Sequence, residues 1–168
     1  SYEDAVARLS AAARVAFTDI ARLRHDTAVA KVPQVVDHVR AALEEDTEAK
    51  IVVWAHHHDA IDPIAAGLAE FGAVTLTGKT PMEARQGVVD RFQTDPACRV
   101  FVGGITAAGV GITLTAAAHE VFAELDWVPA NVTQAEDRCH RIGQTASVLV
   151  QHLVLDGSLD ARMAQTIV

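Results

Sequence analysis

Five short apolar runs, separated by stretches of helical character and, between the third and fourth, by a Gly-rich turn, constrain this chain more than any other feature. They are "KIVVWA" (Lys50 to Ala55), "AVTLT" (Ala73 to Thr77), "RVFVGG" (Arg99 to Gly104), "EVFAEL" (Glu120 to Leu125) and "SVLVQHLVL" (Ser147 to Leu155). The first is continuously apolar and rich in β-branched and aromatic residues, the pattern of a strand buried on both faces. Between the runs lie segments with helix signals. Residues 59 to 71 end at Gly72, a plausible C′ glycine; Pro81 opens a helix with Val88, Val89 and Phe92 in its buried stripe, and Asp95-Pro96 closes it. Further helices are expected across Asn131 to His140 and from about Ser158. Strands alternating with helices predict an α/β fold with a mostly parallel central sheet flanked by helices on both faces. Ligands of such sheets bind beyond the C-terminal strand ends.

Ahead of the first strand, Val6, Leu9, Ala13, Phe17, Ile20 and Leu23 recur at three- and four-residue steps, predicting an amphipathic helix from Tyr2 to about His25. Val32, Val35, Val36, Val39 and Leu43 repeat the pattern before the acidic "EEDTE". A length of 168 residues fits one domain, and a chain that starts at Ser1 with a helix at once suggests a piece of something longer. No apolar run is long enough to cross a bilayer and no signal-peptide pattern opens the chain, so the expectation is a soluble, intracellular protein with no membrane partner. Cys98 and Cys139 match no CxxC spacing and are expected as reduced thiols, with neither a disulfide nor a zinc site. The net charge of −8 argues against a free-standing nucleic-acid binder, because phosphate binding is driven largely by Lys and Arg. Any polyanion contact must be local.

Four stretches could carry chemistry. "AVTLTGKT" (Ala73 to Thr80) satisfies the loose P-loop pattern, and "VFAELD" (Val121 to Asp126) could pose as the acidic strand of a small complete ATPase. The physics is unfavourable: a P-loop wraps permissive backbone around phosphates, whereas Val74 to Thr77 are strand formers and Pro81 removes a first-turn amide. "WAHHHDAID" places His56, His57 and His58 at a strand end, where adjacent side chains diverge, which favours exposed loop histidines over a metal site; Asp59 would suit the next N-cap. "GITAAGVGITLT" supplies Gly109 and Gly111 for close backbone approach and Thr106 for a phosphate oxygen, or is simply a Gly-rich connection. "QAEDRCHRIGQ" (Gln134 to Gln144) puts Arg138 and Arg141 at i and i+3, on one face of a helix that Asn131 could cap. Two guanidiniums on one side suit a transferring phosphoryl group; they also suit a solvated charged face, and composition alone leaves both readings open.

"QAEDRCHRIGQ" closely resembles motif VI of SNF2-type ATPases, DNA translocases of helicase superfamily 2. "KIVVWAHHHDAID" is similar to their motif IV, "LTGKTPMEARQGVVDRFQ" to the segment that follows, "ITAAGVGITLTAA" to motif V and "FAELDWVP" to the next conserved block, all in the family's order. The "AHH" and "FAEL" wording looks closest to the annealing-helicase branch and its bacterial relatives. The resemblance covers about Lys31 to Asp160. It implies a RecA-like second lobe over residues 31 to 168, led into by an N-terminal helix over 1 to 30, with ATP and Mg²⁺ bound mainly by a first lobe outside this chain. It further implies that Arg138 and Arg141 are arginine fingers, that Gln134, Gly109 and Gly111 line the nucleotide cleft, and that Gly78, Thr80, Thr106, Trp127, His56 and His57 face DNA. The implied partners are that first lobe and double-stranded or branched DNA, and the implied setting is cytoplasmic, on the nucleoid in a bacterium or in the nucleus of a eukaryote. Helix N-termini reconcile phosphate binding with an acidic total. Two positions depart from the family pattern: Lys79 stands where Ser is usual, and Gly104 replaces a small polar residue. The sequence has no room for a remodeller's large insertions, which points to a compact motor. The alternatives are the small P-loop ATPase already described and a non-enzymatic module on the same fold.

Overall fold

The computed structural model describes residues 1–124 and 128–155, and residues 108–110 by their backbone alone. Among these residues the chain runs α1 (Tyr2–Glu45), β1 (Ile51–Ala55), α2 (His58–Gly67), β2 (Val74–Leu76), α3 (Met82–Thr94), β3 (Val100–Gly104), β4 (His119–Phe122), α4 (Pro129–Glu136) and β5 (Leu149–His152). Short 3₁₀ turns at Ala69–Phe71 and Ile105–Val110 complete the path. The strands form one parallel sheet in the order β2-β3-β1-β4-β5. In register, Val53 of β1 sits between Val102 of β3 and Val121 of β4.

Strand periodicity divides the core into two apolar clusters. Ile51, Val53 and Ala55 point to the face covered by α1 and α2, with Val35, Val39, Leu43, Ile61 and Ile64. Val52 and Trp54 point to the opposite face, where Val89 and Phe92 of α3 and Ala135 of α4 pack. Every residue of β1 is buried, as a strand covered on both sides requires. The three-layer α/β architecture expected from the alternating runs is the one observed.

The two helices expected before β1 are one continuous helix of 44 residues that passes through Pro33. Its C-terminal part buries Ala28, Val35, Val39 and Leu43, and this packing offsets the backbone hydrogen bond that a mid-helix proline removes. The N-terminal stripe behaves differently: Val6, Leu9, Phe17, Ile20 and Leu23 are all exposed. An amphipathic pattern shows that a helix has an apolar face, and does not by itself bring anything to cover it.

Several boundaries move. Pro81 is the N-cap of α3, which begins at Met82. The N-cap of α2 is His57, and Asp59, expected to cap, lies in the first turn. Helix α4 starts at Pro129, before Asn131, and ends at Glu136, before Arg138, in place of the expected span from Asn131 to His140. Proline's fixed φ and missing N–H suit that first helical position, so the start moves upstream. Gly72 ends the 3₁₀ turn after α2 in the left-handed region at φ 68°, and a Cβ there would lie 2.2 Å from the Ala97 carbonyl oxygen. The expected closing helix from about Ser158, and Leu125 at the end of "EVFAEL", lie outside the described residues.

Gly103 gives β3 its closest packing. A Cβ at this position would come within 2.5 Å of Cζ3 of the buried Trp54 ring. Gly103→Ala is therefore expected to destabilise the fold by about 1–3 kcal/mol, the usual cost of overpacking a tight core. Urea denaturation checks this, and an unchanged midpoint would show that the Trp54 ring can move aside.

Candidate functional site

The residues singled out by sequence gather at one edge. His56 and His57 follow β1, Gly78 and Thr80 follow β2, Thr106, Gly109 and Gly111 follow β3, and Gln134, Arg138 and Arg141 come with α4 and the turns after it. All but the last group sit directly beyond C-terminal strand ends, where parallel sheets bind ligands. Trp127 and Asp126 lie outside the described residues.

The arginine pair does not share a helix face as expected, because α4 stops before either residue. The two are brought together instead by the backbone that follows the Gly-rich turn. Arg138 donates from Nε to the Gln134 carbonyl at 2.8 Å and from Nη1 to the Ile112 carbonyl at 3.5 Å. Arg141 donates from Nη1 to the carbonyls of Gly111 at 2.9 Å and Ile112 at 3.2 Å, and to Oγ1 of Thr113 at 2.8 Å. Gly111 allows this path by adopting φ 76°. Its glycine is required by conformation alone, since a Cβ there would meet no atom within 4 Å. Arg138 is only 8% exposed. Burial, and then the neighbouring charge of Arg141, push its guanidinium pKa down from the ordinary value. Two like charges held side by side against carbonyl oxygens make a site that gains from an anion.

Gln144, the last residue of the same stretch, has a role that sequence reasoning missed. Its Nε2 donates to the carbonyls of Thr115 at 3.1 Å, Ala117 at 2.8 Å and Cys139 at 3.2 Å, and the Arg138 carbonyl accepts from the Leu114 amide at 2.8 Å. These bonds staple the arginine-bearing turn to residues 114–117. Gln134 is exposed, as is Thr106 on its 3₁₀ turn.

The Thr77 to Thr80 turn is closed on itself. The Thr77 amide donates to Thr80 Oγ1 at 3.0 Å, the Lys79 amide to Thr77 Oγ1 at 3.1 Å and the Thr80 amide to the Thr77 carbonyl at 3.1 Å. Arg85 donates back to the Thr80 carbonyl at 3.0 Å. Amides engaged in this way do not form a phosphate cradle, and Val74 to Leu76 are in the sheet. Gly78 faces open space.

After β1, His56 is exposed while His57 is bound to Glu124, a residue whose importance the apolar wording of "FAEL" concealed. One carboxylate oxygen accepts from the amides of His56 at 2.7 Å and His57 at 2.8 Å, and the other pairs with His57 Nδ1 at 2.6 Å. Nearby, His25 of α1 pairs with Asp59 of α2 at 2.7 Å, and the Asp59 carboxylate, then Asp26, raise the His25 pKa. Among the described residues no group of three or more His, Cys, Asp or Glu is arranged to hold a metal ion. Among them, too, no helix is long and apolar enough to cross a membrane.

Residues 31–143 match the family described as the helicase conserved C-terminal domain. The chain belongs to that family. It is 41% identical over 146 residues to the mouse protein named DNA annealing helicase and endonuclease ZRANB3, covering 86% of this chain and 14% of the mouse protein. It is also 41% identical over 138 residues to the Caenorhabditis elegans homologue of SWI/SNF-related matrix-associated actin-dependent regulator of chromatin subfamily A-like protein 1, covering 80% of this chain and 20% of that protein. The crystal structure of the C-terminal part of the Fun30 ATPase domain superposes with a TM-score of 0.73 at 26% identity, over 79% of this chain and 44% of that one. The SNF2-type resemblance read from "QAEDRCHRIGQ", with its leaning towards the annealing-helicase branch, is therefore borne out. The chain spans only a small part of the curated relatives it matches.

Within this helicase C-terminal domain, Glu120 on β4 is a buried acid that the strand pattern hid. It is fully buried, accepts a bond from Trp54 Nε1 at 3.0 Å, and leaves Oε2 without a hydrogen-bond partner among the described residues. Burial raises its pKa to about 7, and burial together with Glu120 raises that of the neighbouring Cys139 thiol. Because the folded value lies above the ordinary 4.5, the contribution of Glu120 to stability is full below about pH 4.5 and is lost as the pH rises through about 7. The loss is on the order of 3 kcal/mol. Urea midpoints at acid and mildly alkaline pH should show Glu120→Gln flattening this dependence and stabilising the domain at the alkaline end. Equal pH dependence in the two proteins would contradict the assignment.

Proposed function

We propose that this chain is the second motor lobe of an ATP-dependent translocase acting on double-stranded or branched DNA, working only together with a first RecA-like lobe of the same parent protein. The observation that carries the reading is the convergence of Arg138 and Arg141 on residues 111–113 at the sheet's C-terminal edge. The donor set fits half of a nucleotide site. Two guanidiniums are available to take up charge on a γ-phosphate, whereas the turn at Thr77 to Thr80 spends its amides internally and supplies no cradle. ATP and Mg²⁺ are accordingly held mainly by the other lobe, with Gln134 and the backbone at Gly109 and Gly111 lining this side of the cleft.

The bonds from Arg141 to residues 111–113 all run through Nη1, and a guanidinium carries five N–H donors. The carbonyls therefore orient the planar group while it retains donors for an oxyanion. Closure of the two lobes brings both arginines to the phosphate, and opening withdraws them, so hydrolysis is coupled to movement of one lobe along the duplex. The DNA-facing groups are Gly78 and Thr80 in the turn before α3, Thr106 on the 3₁₀ turn, His56 and His57 after β1, and Trp127. Hydroxyls and imidazoles at such an edge contact phosphates without demanding a basic protein.

In the two-lobe protein, Arg141→Ala should lower DNA-stimulated ATP hydrolysis by about 10³-fold or more, the range for arginine fingers, while nucleotide affinity changes little. Steady-state turnover and nucleotide titration check this, and unimpaired turnover would sink the finger assignment. The isolated chain should show no ATP hydrolysis with or without duplex DNA, and Lys79→Ala should leave nucleotide affinity of the two-lobe protein unchanged. Hydrolysis by the isolated chain that is lost in Lys79→Ala would establish the self-contained ATPase instead.

A further inference from the structure

The chain leaves adjacent strands β1 and β4 towards opposite faces of the sheet. After β1 it turns into α2, which packs with α1, and after β4 it leads to α4 in the other apolar cluster. Such a divergence opens a crevice between neighbouring strand ends. Here the crevice is filled by Glu124, which is 4% exposed and accepts from the amides of His56 and His57 and from His57 Nδ1. The Trp54 carbonyl also accepts from the Ala123 amide at 2.8 Å, so the residue after β4 is tied to β1 immediately before the carboxylate. Two amides and an imidazole around one buried carboxylate form a rigid, charge-assisted clamp. The amides of His56 and His57, which lead into α2, are thereby committed to an internal anion, and the loop meets an external ligand through its side chains, with the His56 ring exposed and stacked edge-on to His57 at 4.9 Å.

We propose that Glu124 is a positioning residue for DNA engagement: by clamping the loop between β1 and α2 it sets where the His56 and His57 rings meet the DNA backbone. This rests on the reading of the lobe as a DNA-gripping half-motor. It also supplies a physical reason for "AHH" and "FAEL" occurring together, since the acid of one holds the loop of the other.

The test is ATP hydrolysis by the full two-lobe protein against the concentration of a blunt-ended duplex, for wild type, Glu124→Gln, Glu124→Ala and His57→Ala. Gln keeps the volume and one acceptor oxygen but loses the charge. Glu124→Ala should raise the half-stimulating DNA concentration by about tenfold, the scale of losing charge-assisted hydrogen bonds, with Glu124→Gln and His57→Ala smaller in effect. Turnover of the two Glu124 variants at saturating DNA should stay within about twofold, whereas loss of fold alone lowers turnover and leaves the half-stimulating concentration in place. If Glu124→Ala does not fold, Glu124→Gln carries the measurement. A half-stimulating concentration that stays at the wild-type value in every folded variant overturns the proposal. Amide hydrogen exchange at His56 and His57 separates the two layers: it should quicken in Glu124→Gln, and unchanged exchange rejects the clamp whatever DNA does. Wild-type hydrolysis indifferent to DNA would instead remove the half-motor reading.

Discussion

Burial of β1 on both faces and pairing on both edges is the constraint from which the rest of the architecture follows. Its residues alternate between two apolar clusters, so α1 and α2 must cover one face while α3 and α4 cover the other. Its pairing with β3 and β4 forces the chain to pass from one side of the strand to the other, and that passage creates the crevice Glu124 fills. The strands' common direction then collects the loops after β1, β2 and β3 at a single edge, together with the arginine turn that the segment after β3 holds in place.

The two ends of the sheet use charge differently. At the N-terminal edge, Lys50 donates to the carbonyls of Phe92, Asp95 at 2.7 Å and Cys98 at 2.8 Å, and Arg99 to those of Leu43 at 2.9 Å, Asp46 at 2.7 Å and Ala49 at 3.1 Å. These cations satisfy carbonyls at the C-terminal ends of α3 and α1, where the helix dipole favours positive charge, and in the turns that follow them. At the opposite edge Arg141 rests on carbonyls of a loop, and Arg138 on one carbonyl of that loop and on the Gln134 carbonyl of α4. A loop can shift more readily than a helix end buried under a sheet, which suits the finger role proposed for Arg141.

Much of this was legible in the chain itself. The five apolar runs, the Gly72 turn and the Asp95-Pro96 stop placed the elements because each reflects a local preference of backbone or side chain. The arginine pair was singled out on i, i+3 spacing, which presumed a helix through Arg138 and Arg141, whereas α4 runs from Pro129 to Glu136 and ends before them. What unites the two guanidiniums is a set of carbonyls about thirty residues away in the chain, which no spacing rule sees.

The sequence by itself determined the sheet, its parallel sense and the family, because β-branched runs, turn glycines and a dense motif act over a few residues. Only the tertiary structure decided that Glu124 clamps the loop after β1, that Glu120 is buried among Trp54 and Cys139, and that the first half of α1 has an exposed apolar stripe. Each of these depends on what packs beside a residue from a distant part of the chain. A carboxylate's environment, and therefore its charge, its partners and its role, is set by those neighbours and not by its own position in a strand.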